Sequence, residues 1–148
     1  MEPKIAHIIK AISDVKSLEL FRIVALTKLD TDILISKTKL TRKQYYSRMS
    51  SLNEADLVKR KNGKYTLTTF GKVIYDSIAT MENVINYYWK LKGIDSLEIL
   101  KDVPAEERKK ILDNLIGDEH IMAVLESNFQ TNAGTPIRNT GAIIAGRT

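Results

Sequence analysis

Asn62 and Gly63 stand between two short runs, LVKRK at residues 57–61 and KYTLT at residues 64–68. A two-residue connection of type I′ needs positive φ at both of its positions, and Asn-Gly meets that need better than almost any other pair. The flanking runs are therefore expected to pair as an antiparallel hairpin closed by a type I′ turn. The second run alternates clearly and puts Tyr65 and Leu67 on one face, while the first alternates only weakly. The tip carries Lys59, Arg60, Lys61 and Lys64. A short ribbon with four cations is a poor core element and a good contact for phosphate or a minor groove.

The residues just before the hairpin predict a helix over residues 42–55. Thr41 is a good N-cap, Gln44 stands three residues on to complete a capping box, and Leu40 can pack as the apolar staple ahead of it. At 100° per residue, Tyr45, Met49 and Leu52 form the core stripe. Lys43, Ser47, Ser50 and Glu54 fall opposite, with Tyr46 beside them and Arg42 at the first turn. Arg and Lys can donate to guanine or phosphate, and Ser and Tyr hydroxyls reach bases or phosphates. Taken alone, the same face equally suits an ordinary solvated helix. Ala55-Asp56 ends this helix, and Asp56 is expected to take the left-handed conformation, which Asp tolerates better than most residues.

Charge singles out the same region. The chain has 148 residues and a net charge of +5. Residues 1–36 balance at five basic and five acidic side chains. Residues 37–72 carry ten basic side chains against Glu54 and Asp56 alone, or +8. Residues 73–148 have eight basic and eleven acidic, or −3. A basic centre between neutral and acidic flanks points to a polyanion-binding face, although Lys-rich surfaces are common. Lys37 and Lys39 extend it on the approach to the helix.

Elsewhere the pattern is helical. Ile5, Ile8, Ile9 and Ile12 make one stripe at the N-terminus. Ser13-Asp14 breaks and caps, and a broad apolar helix follows over residues 15–27. Leu29-Asp30-Thr31 closes it and caps DILIS (residues 32–36), read as a short second helix. Thr68 or Thr69 caps a long helix over residues 70–91. Its residues Ile74, Ile78, Met81, Ile85 and Tyr88 recur at spacings of 4, 3, 4 and 3, a seam that Trp89 widens. A helix of this length spans roughly 33 Å, more than a small core needs, so the surplus is expected to pair with a second subunit. Gly93 is expected to end it. A short amphipathic stretch follows (residues 94–103). Next come a helix opening at Pro104 with Glu106 and Glu107 in its first turn, and a last helix over residues 118–127. Residues 128–148 have no sustained period and are expected to be disordered.

Several functions find no support. The chain contains no cysteine, so disulfides, thiolate metal sites and cysteine nucleophiles are excluded. His7 and His120 are the only histidines and lack partners at ligand spacing, so no metal site is expected. There is no Gly-rich phosphate loop and no nucleophile or zinc motif, so neither an enzyme nor a cofactor is expected. MEPKIAHIIKAISDV is interrupted by Lys10 and Asp14 and reads as neither a signal peptide nor a membrane span, which suits a cytoplasmic protein.

Together, LTRKQYYSRMSSLNEADLV resembles the recognition-helix signature of ArsR-like and related prokaryotic regulators. The shared elements are Leu40-Thr41, Met49, Leu52 and the close Glu54-Ala55-Asp56-Leu57-Val58. KYTLTTFGK is similar to the second wing strand and following helix of small archaeal winged-helix regulators. The resemblance covers residues 15–89. Asp56 stands where that pattern has Gly, and the Cys and His sensors of metal-responsive members are absent.

The fold this implies is mainly α with one small β-hairpin (α+β). Residues 1–92 would be a winged helix-turn-helix with its long C-terminal helix, residues 93–127 a helical appendage, and residues 128–148 a tail. The function it implies is a homodimeric, sequence-specific regulator of transcription that binds double-stranded DNA and no membrane. Arg42, Lys43, Tyr46, Ser47 and Ser50 would face the major groove. Lys59, Arg60, Lys61 and Lys64 would grip the flanking backbone, with Lys37 and Lys39 on phosphate. Ile74, Ile78, Met81, Ile85, Tyr88 and Trp89 would pair the subunits. A protein-interaction or RNA-binding winged-helix module of the transcription machinery is the alternative.

Overall fold

A computed structural model describes residues 2–97 and 101–132. Among these the chain is mainly helical with one two-stranded antiparallel sheet. The elements run α1 (Ile5–Ala11), α2 (Val15–Leu26), α3 (Thr31–Thr38), α4 (Arg42–Glu54), β1 (Val58–Lys61), β2 (Lys64–Leu67), α5 (Thr69–Asn86), α6 (Tyr88–Asp95), α7 (Ala105–Leu115) and α8 (Glu119–Asn132). No helix among the described residues is long and apolar enough to cross a membrane. Contacts divide the chain into two compact units between Glu82 and Asn83.

The first unit is built around apolar side chains of α2, α4 and the hairpin, among them the stripe Tyr45, Met49 and Leu52 that the periodicity selected. Leu20 and Phe21 of α2, Tyr45, Met49 and Leu52 of α4, and Leu57 and Val58 at the start of the hairpin are fully or almost fully buried. The Phe21 ring meets Tyr75 of α5 edge-on at 6.0 Å. Only Ile8 and Ala11 of α1 are buried, and Ile5 and Ile9 stay exposed.

Helix ends are held by side chains. Asp14 caps α2 by accepting from the Ser17 amide at 3.0 Å and the Ser17 hydroxyl at 2.6 Å. The Lys16 ammonium donates to the Thr38 carbonyl at 2.7 Å, which satisfies an acceptor at the end of α3. Thr41 and Gln44 form the capping box on α4, with reciprocal bonds of 3.2 and 3.0 Å. Thr68 caps α5 by accepting from the Gly71 amide at 2.8 Å.

Asp14 has a second partner. The Arg48 Nε of α4 donates to its carboxylate at 3.2 Å. Partial burial raises the Asp14 pKa, but the Ser17 bonds and the Arg48 charge outweigh it and hold the carboxyl below its usual 3.8. The group therefore adds stability above about pH 4, lost as acid protonates it in the folded chain. Asp14→Ala is expected to cost about 1 kcal/mol in urea unfolding at pH 7. That deficit should shrink as the pH falls below about 4.

The second unit has its own small core of Leu112, Ile116, Ile121 and Met122. Val84, Tyr87, Leu91 and Ile94 pack against it. Asp118 caps α8, accepting from the Ile121 amide at 2.9 Å and from the Asn83 side-chain amide at 2.7 Å. These bonds lower its pKa.

This unit differs from the sequence expectations in four places. The helix predicted over residues 70–91 is two helices. Tyr87 has φ −97° and ψ 7°, and its amide bonds to the Val84 carbonyl, one residue short of helical register. The aromatic ring that packs against the second unit's apolar cluster is Tyr87, not its neighbour Tyr88. Gly93 lies inside α6 and does not end it. Pro104 is the N-cap of α7, one residue before the expected position. Finally, α8 runs to Asn132, beyond the expected start of the tail. The amphipathic stretch expected over residues 94–103 falls partly outside the described residues, and the tail beyond residue 132 falls wholly outside them.

Candidate nucleic-acid interface

α4 is anchored by its inward face and ends. The capping box fixes its start, and Tyr45, Met49 and Leu52 fix its rotation. Burial pushes the Tyr45 hydroxyl above its ordinary pKa, as a phenol inside a core requires. The joints on either side are left-handed. Lys39 has φ 56° and Asp56 has φ 59°. Arg42, Lys43, Tyr46, Ser47 and Ser50 are consequently all exposed. The Ser50 hydroxyl donates to Glu54 at 3.4 Å, and the Tyr46 ring stands edge-on to Tyr45 at 5.2 Å.

The hairpin begins four residues after α4 ends. Asn62 and Gly63 both take positive φ, 53° and 76°, as the type I′ turn demands. The register pairs Val58 with Leu67, Lys59 with Thr66, Arg60 with Tyr65 and Lys61 with Lys64. Side chains alternate across a strand, so Arg60 and Tyr65 share the face of buried Val58 and Leu67, and Lys59 and Lys61 point the other way.

The base of the hairpin is locked to α5. The Thr68 amide donates to the Leu57 carbonyl at 3.1 Å, and the Thr68 hydroxyl donates to the Asp56 carbonyl at 2.5 Å. Gly71 lies against this junction. A Cβ there would run into the Leu57 carbonyl oxygen and come within 2.9 Å of its carbon.

Two predicted contact residues are already engaged by acids. The Arg42 guanidinium donates to Asp32 at 2.7 Å, and the Lys64 ammonium lies 3.6 Å from Asp30. Lys37, Lys39, Lys43, Lys59, Arg60 and Lys61 are exposed and make no ion pair among the described residues. Neither aspartate was singled out for this role by sequence: Asp32 and Arg42 are ten residues apart, and Asp30 and Lys64 are thirty-four.

The residues expected to pair subunits divide. Ile78 is buried in the first unit and Ile74 packs against the same cluster. Met81 (57% exposed), Ile85 (69%), Tyr88 (50%) and Trp89 (80%) are open, and the Tyr88 and Trp89 rings meet edge-on at 5.1 Å. No group of three or more His, Cys, Asp or Glu side chains able to hold a metal occurs among the described residues.

Compared with protein-family models, with curated proteins and with solved structures, the chain finds no match in any of the three.

Proposed function

We propose that the first unit is a winged helix-turn-helix and that the protein is a homodimeric, sequence-specific regulator of transcription acting on double-stranded DNA. The observation that carries this reading is the pairing of two elements. An exposed helix face of Lys, Tyr and Ser is followed directly by a two-stranded ribbon whose Lys59, Arg60 and Lys61 make no ion pair among the described residues.

In this reading α4 enters the major groove, where Lys43, Tyr46, Ser47 and Ser50 meet base edges and nearby phosphates. The hairpin is the wing and lies along the backbone. Arg42 joins once phosphate or guanine displaces Asp32. Met81, Ile85, Tyr88 and Trp89 form the dimer contact, since large apolar side chains this exposed on a soluble surface mark interaction sites. Ile74 and Ile78 belong to the first unit's own core.

Selection of bound sites from a random duplex library tests this proposal. A palindromic consensus is expected, with spacing set by dimer symmetry. Bound duplexes with no shared sequence would favour a non-specific or protein-interaction role instead, and a monomer in light scattering would remove the half-site geometry.

Two substitutions examine the reading face. Lys43→Ala is expected to cost ~1–3 kcal/mol on the selected site and much less on random duplex, if the side chain reads a base. Asp32→Asn frees Arg42 and is expected to raise affinity for all duplexes a few-fold, because an exposed ion pair is worth only about 0–1 kcal/mol. Filter binding at fixed salt reads both.

A further inference from the structure

The outer side of the hairpin holds a groove that the contacts proposed so far do not explain. It is open, encloses about 380 Å³, and is floored by the last turn of α2. Lys28 follows α2, Lys59 and Lys61 project from β1, and Lys72 lies in the first turn of α5. Thr66 and Thr69 line it between them. It therefore presents four ammonium groups and three threonines, of which Thr27 already donates its hydroxyl to the Ile23 carbonyl at 2.8 Å, and among the described residues no carboxylate lines it. All four lysines are exposed, and none makes an ion pair among the described residues. The start of an 18-residue helix adds its positive end to the same rim.

A second groove of the first unit provides the contrast. It encloses about 430 Å³ between α1, α2 and α4 and also contains two cations, Lys10 and Arg48. There Asp14 and Glu54 share the lining, and Arg48 is bound to Asp14 at 3.2 Å. That groove is internally balanced. The groove behind the hairpin is not, and keeping four like charges together without a counter-charge costs stability unless an anion occupies the site.

We infer that this groove is a second phosphate-binding track, taking the sugar–phosphate backbone of the duplex as it passes beyond the wing. It rests on the proposed DNA-binding function and deepens it. Lys59 and Lys61 face the groove, so the backbone runs along the outer face of the hairpin and on to Lys28 and Lys72. An extended polyanion suits the site because its charges are distributed along an open channel with no enclosed pocket at the centre. Contacts of this kind carry no sequence information and act only on affinity and its salt dependence.

The test compares the wild-type chain with Lys28→Ala/Lys72→Ala in two assays. In DNA titrations across a range of salt, the variant is expected to lose about 2 from the slope of log affinity against log salt per subunit, at roughly 0.9 per phosphate contact. Its ranking of preferred and random sites should not change. An unchanged slope overturns the inference, even where Lys43→Ala still alters site preference. In the second assay, amide NMR shifts are followed as inorganic pyrophosphate is added. Shifts at Lys28, Thr66, Thr69 and Lys72 that vanish in the variant support the phosphate site even if the wild type fails to bind duplex, in which case only the DNA reading fails. Pyrophosphate shifts together with an unchanged DNA slope would assign the groove to a small phosphorylated ligand and reject the backbone track.

Discussion

Replacing Lys59, Arg60 and Lys61 together by alanine should reduce affinity for every duplex, preferred or random, on the order of a hundredfold at moderate salt. The slope of log affinity against log salt should fall by about 2–3 per subunit, near 0.9 for each phosphate contact removed. The side chains are exposed and make no ion pair among the described residues, so the fold has little to lose by their removal. Exposed substitutions usually stay within about 0.5 kcal/mol, and the thermal midpoint should barely move. The combination is diagnostic: a folded protein, weakened equally on all sequences, less sensitive to salt. Unchanged binding in the triple variant would refute the wing assignment. Selective loss on the preferred site would instead make the hairpin a base-reading element.

The largest effect on stability is expected at Gly71. Alanine there places a methyl on the Leu57 carbonyl, which already accepts the Thr68 amide. Neither side can yield easily, because both are backbone at the junction of hairpin and helix. The cost should reach about 3 kcal/mol, the upper end of the overpacking range. For a unit of this size that is roughly 10–20 °C in thermal midpoint. Gly93→Ala is the control. Among the described residues nothing lies within 4 Å of an added Cβ at Gly93, which sits inside α6. Alanine there should stabilise by up to about 1 kcal/mol, since glycine is the poorer helix former. Circular dichroism melts of the two variants should therefore move in opposite directions. A neutral Gly71→Ala would mean that the junction is looser than its hydrogen bonds imply.

The contrast between the two glycines shows what kind of information the sequence carries openly. Both are isolated glycines in the finished helices, and nothing local tells which is crowded and which is open. The distinction arises from Leu57, fourteen positions before Gly71. By comparison, the capping box of Thr41 and Gln44, the left-handed Asp56 and the Asn62-Gly63 turn were all legible, because each is decided within a few residues. The core stripe of α4 was legible because Tyr45, Met49 and Leu52 leave no competing face.

The break at Tyr87 was not legible, for a definite reason. Residues 74–94 offer two apolar stripes one residue apart: Ile74, Ile78, Met81, Ile85 and Tyr88, and alongside them Val84, Tyr87, Leu91 and Ile94. Periodicity cannot rank them. The second stripe packs against Leu112, Ile116, Ile121 and Met122, and that choice depends on helices far along the chain. The ion pairs of Arg42, Lys64 and Arg48 were hidden in the same way, and so was the meeting of Lys28 with Lys72 at one groove.

The left-handed joints at Lys39 and Asp56 bear on how such a surface can change over time. They fix where α4 begins and ends through the backbone, and the capping box with three buried side chains fixes its rotation. None of this scaffolding uses the Lys43 or Ser47 side chain; Tyr46 contributes its edge-on contact with the Tyr45 ring, and Ser50 its bond to Glu54. The outward positions are therefore nearly free of structural duty, and most replacements there should be almost neutral for folding. On the proposed DNA-reading function, a lineage carrying this chain can rewrite its target alphabet one letter at a time while the frame that holds the letters stays untouched.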